Sequence, residues 1–321
     1  MVNVASAPVV AVTGSAGYIG SQLLQELENE TSLAKLVAVD LKPLTMPFHN
    51  IDAYRLDITK PLDTVFHDHH INTVVHLAFD LREGHNPQEA QAIQSNNLVG
   101  LENLLRACRA GRVSNFIYLS SHTVYGARSD NPVPITEEAP LRPVARFQYS
   151  QTKVLSEEIL QRFAREKPQT GVTVIRCCMV LGPEGISHVA KAFQKPVLIK
   201  VTGYDPPLQF IHDKDLARIL TIFSMEPRPG VFNVAGESVV RFSRMAQIMR
   251  QRLISLPFFI AYPLVQMSWK LGLQKEASAA GLGFIRHPII MTTGKLKRAT
   301  GYRFQYTAEE AVSSYAASNL T

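Results

Sequence analysis

Val9-Val10-Ala11-Val12-Thr13-Gly14-Ser15-Ala16-Gly17-Tyr18-Ile19-Gly20 is the stretch on which the fold is decided. A short apolar run from Pro8 to Thr13 ends in glycines at 14, 17 and 20, and Tyr18 to Glu28 then sets Ile19, Leu23, Leu24 and Leu27 at helical spacing. This reads as strand, turn, helix. Gly14 permits a tight turn, Gly17 lets the backbone approach a pyrophosphate, and Gly20 allows close packing of helix on strand. The helix N-terminus, at Tyr18 and Ile19, offers amide donors to phosphates. The spacing is Gly-x-x-Gly-x-x-Gly rather than Gly-x-Gly-x-x-Gly, so the turn alone is a weak signal.

Outward from the turn, strands and helices alternate. Further strands are expected at Leu36 to Val39, Tyr54 to Ile58, Thr73 to Leu77, Asn115 to Ser120 and Val172 to Arg176. Helices are expected at about 61–70, 87–110 and Gln148 to Arg165. The alternation implies an α/β, Rossmann-type, doubly wound parallel sheet. After Leu181-Gly182-Pro183 the rhythm loosens, and a smaller substrate-binding part is expected there. Phe210 to Phe223, with a helix opening near His212, and Val231 to Val234 read as a return to the sheet. The expected division is therefore 1–178 with 206–235 for the dinucleotide part, interleaved with 179–205 and 236–321 for the substrate part.

The acid at the end of the second strand, Asp40, stands twenty positions after Gly20 and strengthens the glycine signal. Its carboxylate can accept both hydroxyls of an adenosine ribose and would repel a 2′-phosphate, which favours NAD over NADP. Lys42 is close enough to weaken that preference. Asp57 and Ile58 are placed to edge the adenine, and Leu77, Ala78 and Phe79 to lie along the middle of the cofactor.

Composition sets the outer bounds. The 321 residues are 46% hydrophobic and 19% charged, as in an ordinary globular protein. A net charge of +6 could suggest nucleic acid, but Lys and Arg are scattered and no basic run is interleaved with aromatics, so no nucleic-acid partner is expected. The three cysteines, Cys108, Cys177 and Cys178, suit a reducing cytoplasm, and the N-terminal residues carry no basic signal-peptide pattern. His67, His69 and His70 resemble a metal cluster only superficially, and no metal is expected.

Leu253 to Trp269 (LISLPFFIAYPLVQMSW) is uncharged and bracketed by Arg252 and Lys270. At 17 residues, with Pro257 and Pro263 inside, it falls short of the about 20 needed to span a bilayer. The plain reading is a pair of short buried helices; an apolar substrate lid, a membrane-surface contact and a span are the alternatives.

Tyr149-Ser150-Gln151-Thr152-Lys153 carries the chemistry. Residues four apart on a helix share a face, so the Tyr149 phenol and Lys153 ammonium point into one space. A neighbouring cation is expected to pull the phenol toward working pH.

The glycine turn, Asp40, His76-Leu77-Ala78-Phe79, Asn97-Leu98-Val99-Gly100, Ser120-Ser121-His122-Thr123-Val124-Tyr125-Gly126, Tyr149 with Lys153, and Arg176 through Gly182-Pro183 occur in order. Together with Phe210-Ile211-His212-Asp213, Phe232-Asn233-Val234-Ala235 and Gly301-Tyr302, they resemble the extended short-chain dehydrogenase/reductases, the NAD-dependent epimerase/dehydratase family. The resemblance covers essentially the whole chain. It implies that Ser121 hydrogen-bonds the reacting oxygen, that Tyr149 takes or gives the hydroxyl proton, and that Lys153 holds the nicotinamide ribose. It also implies that Asn97 supports the helix beside the site and that two long helices, about 87–110 and 148–165, pair into a homodimer. Ser121 as a mere loop cap and Tyr125 as packing are the bland alternatives.

The departures bear on substrate. His122-Thr123 stands where dehydrating members of the family resemble one another in an Asp-Glu pair, and Met179 and Leu208-Gln209 stand where sugar-nucleotide enzymes carry polar anchors. With the apolar 253–269 segment, they favour an NAD-dependent oxidoreductase transferring hydride at a secondary alcohol or ketone of a hydroxysteroid-like or lipid-like substrate. A nucleotide-sugar 4-epimerase with retained NAD is the alternative, in which Arg241, Arg286 and Arg298 could meet phosphates. A non-catalytic NAD-binding scaffold is the third.

Overall fold

The computed structural model describes residues 7–84, 86–111, 113–145, 147–185, 195, 197–273 and 279–319. Of the expected substrate part, 186–194, 196, 274–278, 320 and 321 lie outside the described residues. Strands β1 (Val9–Thr13), β2 (Lys35–Asp40), β3 (Ile51–Arg55), β4 (Thr73–His76), β5 (Asn115–Ser121) and β6 (Gly171–Cys177) alternate with helices α1 (Tyr18–Glu28), α2 (Asp63–Asp68), α3 (Pro87–Ala110) and α4 (Gln148–Glu166). Later come β7 (Met179–Leu181), β8 (Val197–Val201), β9 (Pro207–Leu208), β10 (Phe210–His212), β11 (Gly230–Val234), β12 (Val240–Arg241) and β13 (Arg252–Leu256). The remaining helices are α5 (Asp213–Met225), α6 (Phe242–Ile248), α7 (Phe258–Lys270), α8 (Gly281–Arg286), α9 (Gly294–Thr300) and α10 (Ala308–Asn319).

One sheet dominates, in the order β11-β6-β5-β4-β1-β2-β3, with every pairing parallel. Side chains alternate across it, as a period of two requires. Val10, Val12 and Ile117 enter one apolar cluster, which takes in Leu23, Leu24 and Leu27 of α1 and Leu216 and Leu220 of α5. Ala11, Phe116 and Tyr118 enter the other, with Leu101 and Leu105 of α3 and Leu160 and Phe163 of α4. The sheet is buried on both faces, so its strands read as unbroken apolar runs. A third cluster joins Phe210, Phe242, Met245, Val312 and Tyr315 around α6 and α10.

The doubly wound architecture expected from the sequence is present, with three local differences. The third strand lies at Ile51–Arg55, not Tyr54 to Ile58. It is the sheet edge with mixed burial, so apolar pattern does not mark its ends. Phe210–His212 is a strand, and it pairs with β7 beside the main sheet; only β11 rejoins that sheet. Leu253 to Trp269 is strand β13 followed by a single helix that runs through Pro263, instead of two short buried helices. Of α7, only Ala261 and Trp269 are buried.

Candidate active site

Two glycines build the turn after β1. Gly14 has φ +74°, and a Cβ there would lie 2.5 Å from the Ala78 amide nitrogen; a Cβ on Gly20 would lie 2.1 Å from the Gly14 carbonyl oxygen. Hence α1 packs directly on the turn, and the loop after β4 runs against it. Gly17 is different. It is the N-cap of α1, and a Cβ there would meet only the Gly14 oxygen, at 3.1 Å. The first-turn amides of Tyr18, Ile19 and Gly20 have no acceptor within their own helix. Ser15 Oγ is buried with no hydrogen-bond partner among the described residues. A ring of amide donors at a helix N-terminus, with space at Gly17 and an orphaned hydroxyl, fits a pyrophosphate.

Asp40 closes β2 and is tied into the turn. Its Oδ2 accepts from the Ala16 amide and its Oδ1 from the Lys42 amide, each at 2.9 Å. Each oxygen retains accepting capacity, which suits a ribose diol. Asp57 turns inward on its own loop, accepting from Thr59 N at 2.9 Å and Thr59 Oγ1 at 2.8 Å, while Ile58 packs over Gly100 of α3. Leu77 N donates to Thr13 O, 3.0 Å, which lays Leu77 and Ala78 along the glycine turn. Asn97 pins the next residues: its Oδ1 accepts from Asp80 N and its Nδ2 donates to Asp80 O. Its amide is thereby engaged with the loop after β4.

Ser121 ends β5 and caps a 3₁₀ turn, His122–Tyr125, accepting from Thr123 N at 3.2 Å and Thr123 Oγ1 at 3.0 Å. The loop-capping role is therefore real, and the same hydroxyl acts on the Tyr149 phenol in the direction that favours its ionised form. Tyr149 opens α4, one helical turn before Lys153. Lys153 Nζ donates to Leu119 O at 2.7 Å and Tyr118 OH at 3.3 Å, and lies 3.8 Å from the Phe79 ring centroid. These contacts hold it 5.8 Å from the Tyr149 ring centroid.

The electrostatics depart from expectation. Burial pushes the Tyr149 phenol up to about 12, and only the Ser121 hydroxyl acts in the opposite direction. Burial pulls Lys153 down to about 7, with Glu157 opposing. The ammonium points at Leu119 O rather than at the phenol oxygen, so these side chains by themselves leave Tyr149 a protonated acid at neutral pH.

Aromatic residues surround this pair, and sequence reading missed two of them, Phe147 and Phe284. The Phe79 ring stands edge-on to Tyr149 at 5.6 Å, Phe147 lies 5.7 Å from Tyr149, and Phe284 of α8 lies 5.6 Å from Phe147. His122, 6.4 Å from Phe284, is partly buried; its Nδ1 meets Cys177 O at 3.1 Å, and desolvation pulls it down to about 4. Glu157 continues the four-residue spacing of Tyr149 and Lys153, a signal that could have found it. It accepts from Arg176 through both oxygens and from Ser120 Oγ at 2.5 Å. Tyr125 is buried, accepting from Arg176 and donating to Asn233, in keeping with a packing role. Nothing in the sequence links Phe284 to Tyr149.

The positions weighed for substrate are not all at the site. Gln209 is an interior cross-link, bonded to Met291 N and O and to Gly236 O. Arg241 donates to Asp205 O, while Arg286 lies over Tyr204 and Phe258, two residues from Phe284. Among the described residues no group of three His, Cys, Asp or Glu could hold a metal, and His69 is bonded to Tyr54 OH.

Similarities to known proteins agree with this construction. A UDP-glucose 4-epimerase of Yersinia pestis is 30% identical over 273 residues, covering 72% of this chain and 80% of that protein. An uncharacterized protein of Mycobacterium tuberculosis is 23% identical over 316 residues, 96% of this chain and 83% of that one. The fold is shared with UDP-glucose 4-epimerase of Thermotoga maritima, solved with UDP-glucose, at 19% identity, TM-score 0.75 and coverage of 96% and 97%. It is also shared with that of Bifidobacterium longum, solved with NAD+ and UDP, at 19% identity, TM-score 0.74 and coverage of 97% and 98%. The model of the NAD dependent epimerase/dehydratase family matches residues 10–235. The chain belongs to the NAD-dependent epimerase/dehydratase family of enzymes.

Proposed function

We propose that this enzyme transfers hydride at a secondary alcohol or ketone carbon of a relatively apolar, hydroxysteroid-like or lipid-like substrate. The carrying observation is the aromatic wall at the acid/base residue: Phe79 and Phe147 within 5.7 Å of the Tyr149 ring, backed by Phe284 and an uncharged His122. Pockets for apolar ligands are built this way, with few polar groups among rings.

The cofactor residues assigned are Gly14, Gly17, Tyr18, Ile19 and Gly20 for the pyrophosphate and Asp40 for the adenosine ribose. Asp57 and Ile58 border the adenine, and Leu77, Ala78 and Phe79, braced by Asn97, line the nicotinamide half. Bound NAD supplies the hydride acceptor or donor. Ser121 donates to the reacting oxygen and steadies its developing charge. Tyr149 takes the hydroxyl proton in oxidation and returns it in reduction. Lys153 holds the nicotinamide ribose and, together with the positive charge of bound NAD, lowers the phenol; in its hydrogen bond to Leu119 O it does not do so alone. The cofactor part comprises 1–178 with 206–235; 179–205 and 236–321 form the substrate part.

Val99 on α3 and Leu155 on α4 are exposed apolar residues on adjacent helices, which supports a homodimer through them. Three buried free thiols support a cytoplasmic site.

The second reading, a nucleotide-sugar 4-epimerase with retained NAD, is favoured by the 30% identity to the Yersinia pestis enzyme. Incubating the protein with NAD and panels of hydroxysteroids, long-chain secondary alcohols and UDP-sugars separates the two. Accumulating NADH with an apolar alcohol supports the first; sugar inversion without net NADH supports the second and overturns the first.

A further inference from the structure

The outward face of α7 reverses the ordinary pattern of a surface helix. Ile260, Leu264, Met267 and Leu271 recur at helical spacing and are 45%, 44%, 57% and 66% exposed. Phe259 and Leu273, at 75% and 76%, flank the stripe. The opposite face, with Ala261 and Trp269, is buried in the protein. No Asp, Glu, Lys or Arg lies within α7 before its last residue, Lys270. Patches of this kind on a soluble fold mark a contact surface.

Charge identifies the partner. Between Glu237 and Glu309 the chain carries eleven Lys and Arg residues against a single acid, Glu276, although Lys297 and Arg244 are paired with the bounding Glu237 and Glu309. The whole chain has a net charge of only +6, so the remainder is net acidic and the excess is confined to this region. Cations bracket α7 in space as well. Lys270 ends the helix and is exposed; Arg286, also exposed, rests 5.1 Å from the Phe258 ring in the first turn. Among the described residues Arg250, Arg252 and Lys270 form no ion pair.

We infer that α7 docks this enzyme on an anionic lipid surface, its apolar stripe entering the headgroup boundary and the cations around it meeting lipid phosphates. In an ordinary interfacial helix one face is polar and faces water. Here the rest of the protein takes that place. Thirteen residues span about 20 Å at 1.5 Å each, against an apolar bilayer core of about 30 Å, so the helix lies along the surface. No described helix is long and apolar enough to cross a membrane. A second copy fits less well, because a two-fold interface would set this basic region against its own image.

The docking has a consequence for access. Arg286 couples the first turn of α7 to α8, and Phe284 of α8 belongs to the aromatic wall at Tyr149. A docked α7 thus brings that wall near the lipid, where an apolar alcohol partitions. This consequence rests on the substrate reading; the docking itself does not.

The test is co-sedimentation of the full chain with vesicles of phosphatidylcholine alone or mixed with phosphatidylglycerol, without substrate. The expected result is at least about tenfold stronger binding to the anionic vesicles, weakened by salt. Leu264→Glu/Met267→Glu and Lys270→Glu should each reduce that binding by at least about fivefold, with melting temperatures retained. Equal binding to both vesicle types, no binding, or a Leu264→Glu/Met267→Glu variant that binds like the parent overturns the proposal. So does a parent dimer, seen by sedimentation equilibrium, that the paired Glu substitution splits without any vesicle binding. Vesicle binding is read without turnover, so its failure leaves the NADH assay intact, and the reverse.

Discussion

The Lys153 ammonium nitrogen lies 3.8 Å from the centroid of the Phe79 ring, and that ring meets Tyr149 edge-on at 5.6 Å. One aromatic side chain therefore touches both members of the proposed acid/base pair. A cation over a desolvated ring is worth about 0.5–2 kcal/mol. Phe79→Leu is expected to lower kcat by about 2- to 30-fold on that account, with steady-state kinetics as the check. An unchanged kcat would show that the ring is only packing.

The glycine turn predicts two different losses. Gly14→Ala puts a Cβ 2.5 Å from the Ala78 nitrogen at φ +74°, and is expected to cost stability by about 1–3 kcal/mol or more. Gly17→Ala meets only one oxygen of its own chain, at 3.1 Å, so the fold should survive while NAD affinity falls by about tenfold or more. Thermal melting and calorimetric titration with NAD separate the two.

Glu157 and Arg176 form a buried pair, 2.8 Å between Oε2 and Nη2, that joins α4 to β6 behind Lys153. Removing one partner strands the other charge. Glu157→Gln should cost about 3–5 kcal/mol in denaturant unfolding, and the double variant Glu157→Gln/Arg176→Met less than the two single losses together.

What was legible in the sequence follows from burial. The ends of α1 and α3 match their apolar periodicity because each presents one face to a buried sheet. The edge strand β3 was misplaced by three residues, since its alternation is weak and Leu56 still donates to Asp40 O after the strand has ended. Leu253 to Trp269 misled for a different reason. Composition records that a side chain avoids water, but not whether its own chain or a partner covers it, and Pro263 is carried on the exposed side of a continuous helix. At the site, Tyr149, Lys153 and Ser121 were marked by motif. Phe147 and Phe284 were not, because their meeting depends on how α8 folds back over α4.

Stability should fall toward acid. Burial pulls His76 from 6.5 to about 3 and His122 from 6.5 to about 4. Both are neutral in the fold, and the unfolded chain binds their protons first as pH drops below 6.5, so unfolding is favoured from there down to the folded values. Lys153, pulled from 10.5 to about 7, acts with the same sign between those two values. Urea midpoints measured against pH should decline through the acid window, and His122→Gln should flatten that decline.

Proton transfer by Tyr149, with Ser121 on the reacting oxygen and Lys153 on the nicotinamide ribose, is the central proposal. Single-turnover formation of NADH by Tyr149→Phe, with the alcohol the parent enzyme oxidises, tests it most directly. The variant should keep NAD affinity within about twofold and lose at least about 100-fold in rate. A rate equal to that of the parent, with NAD bound as tightly, would contradict it.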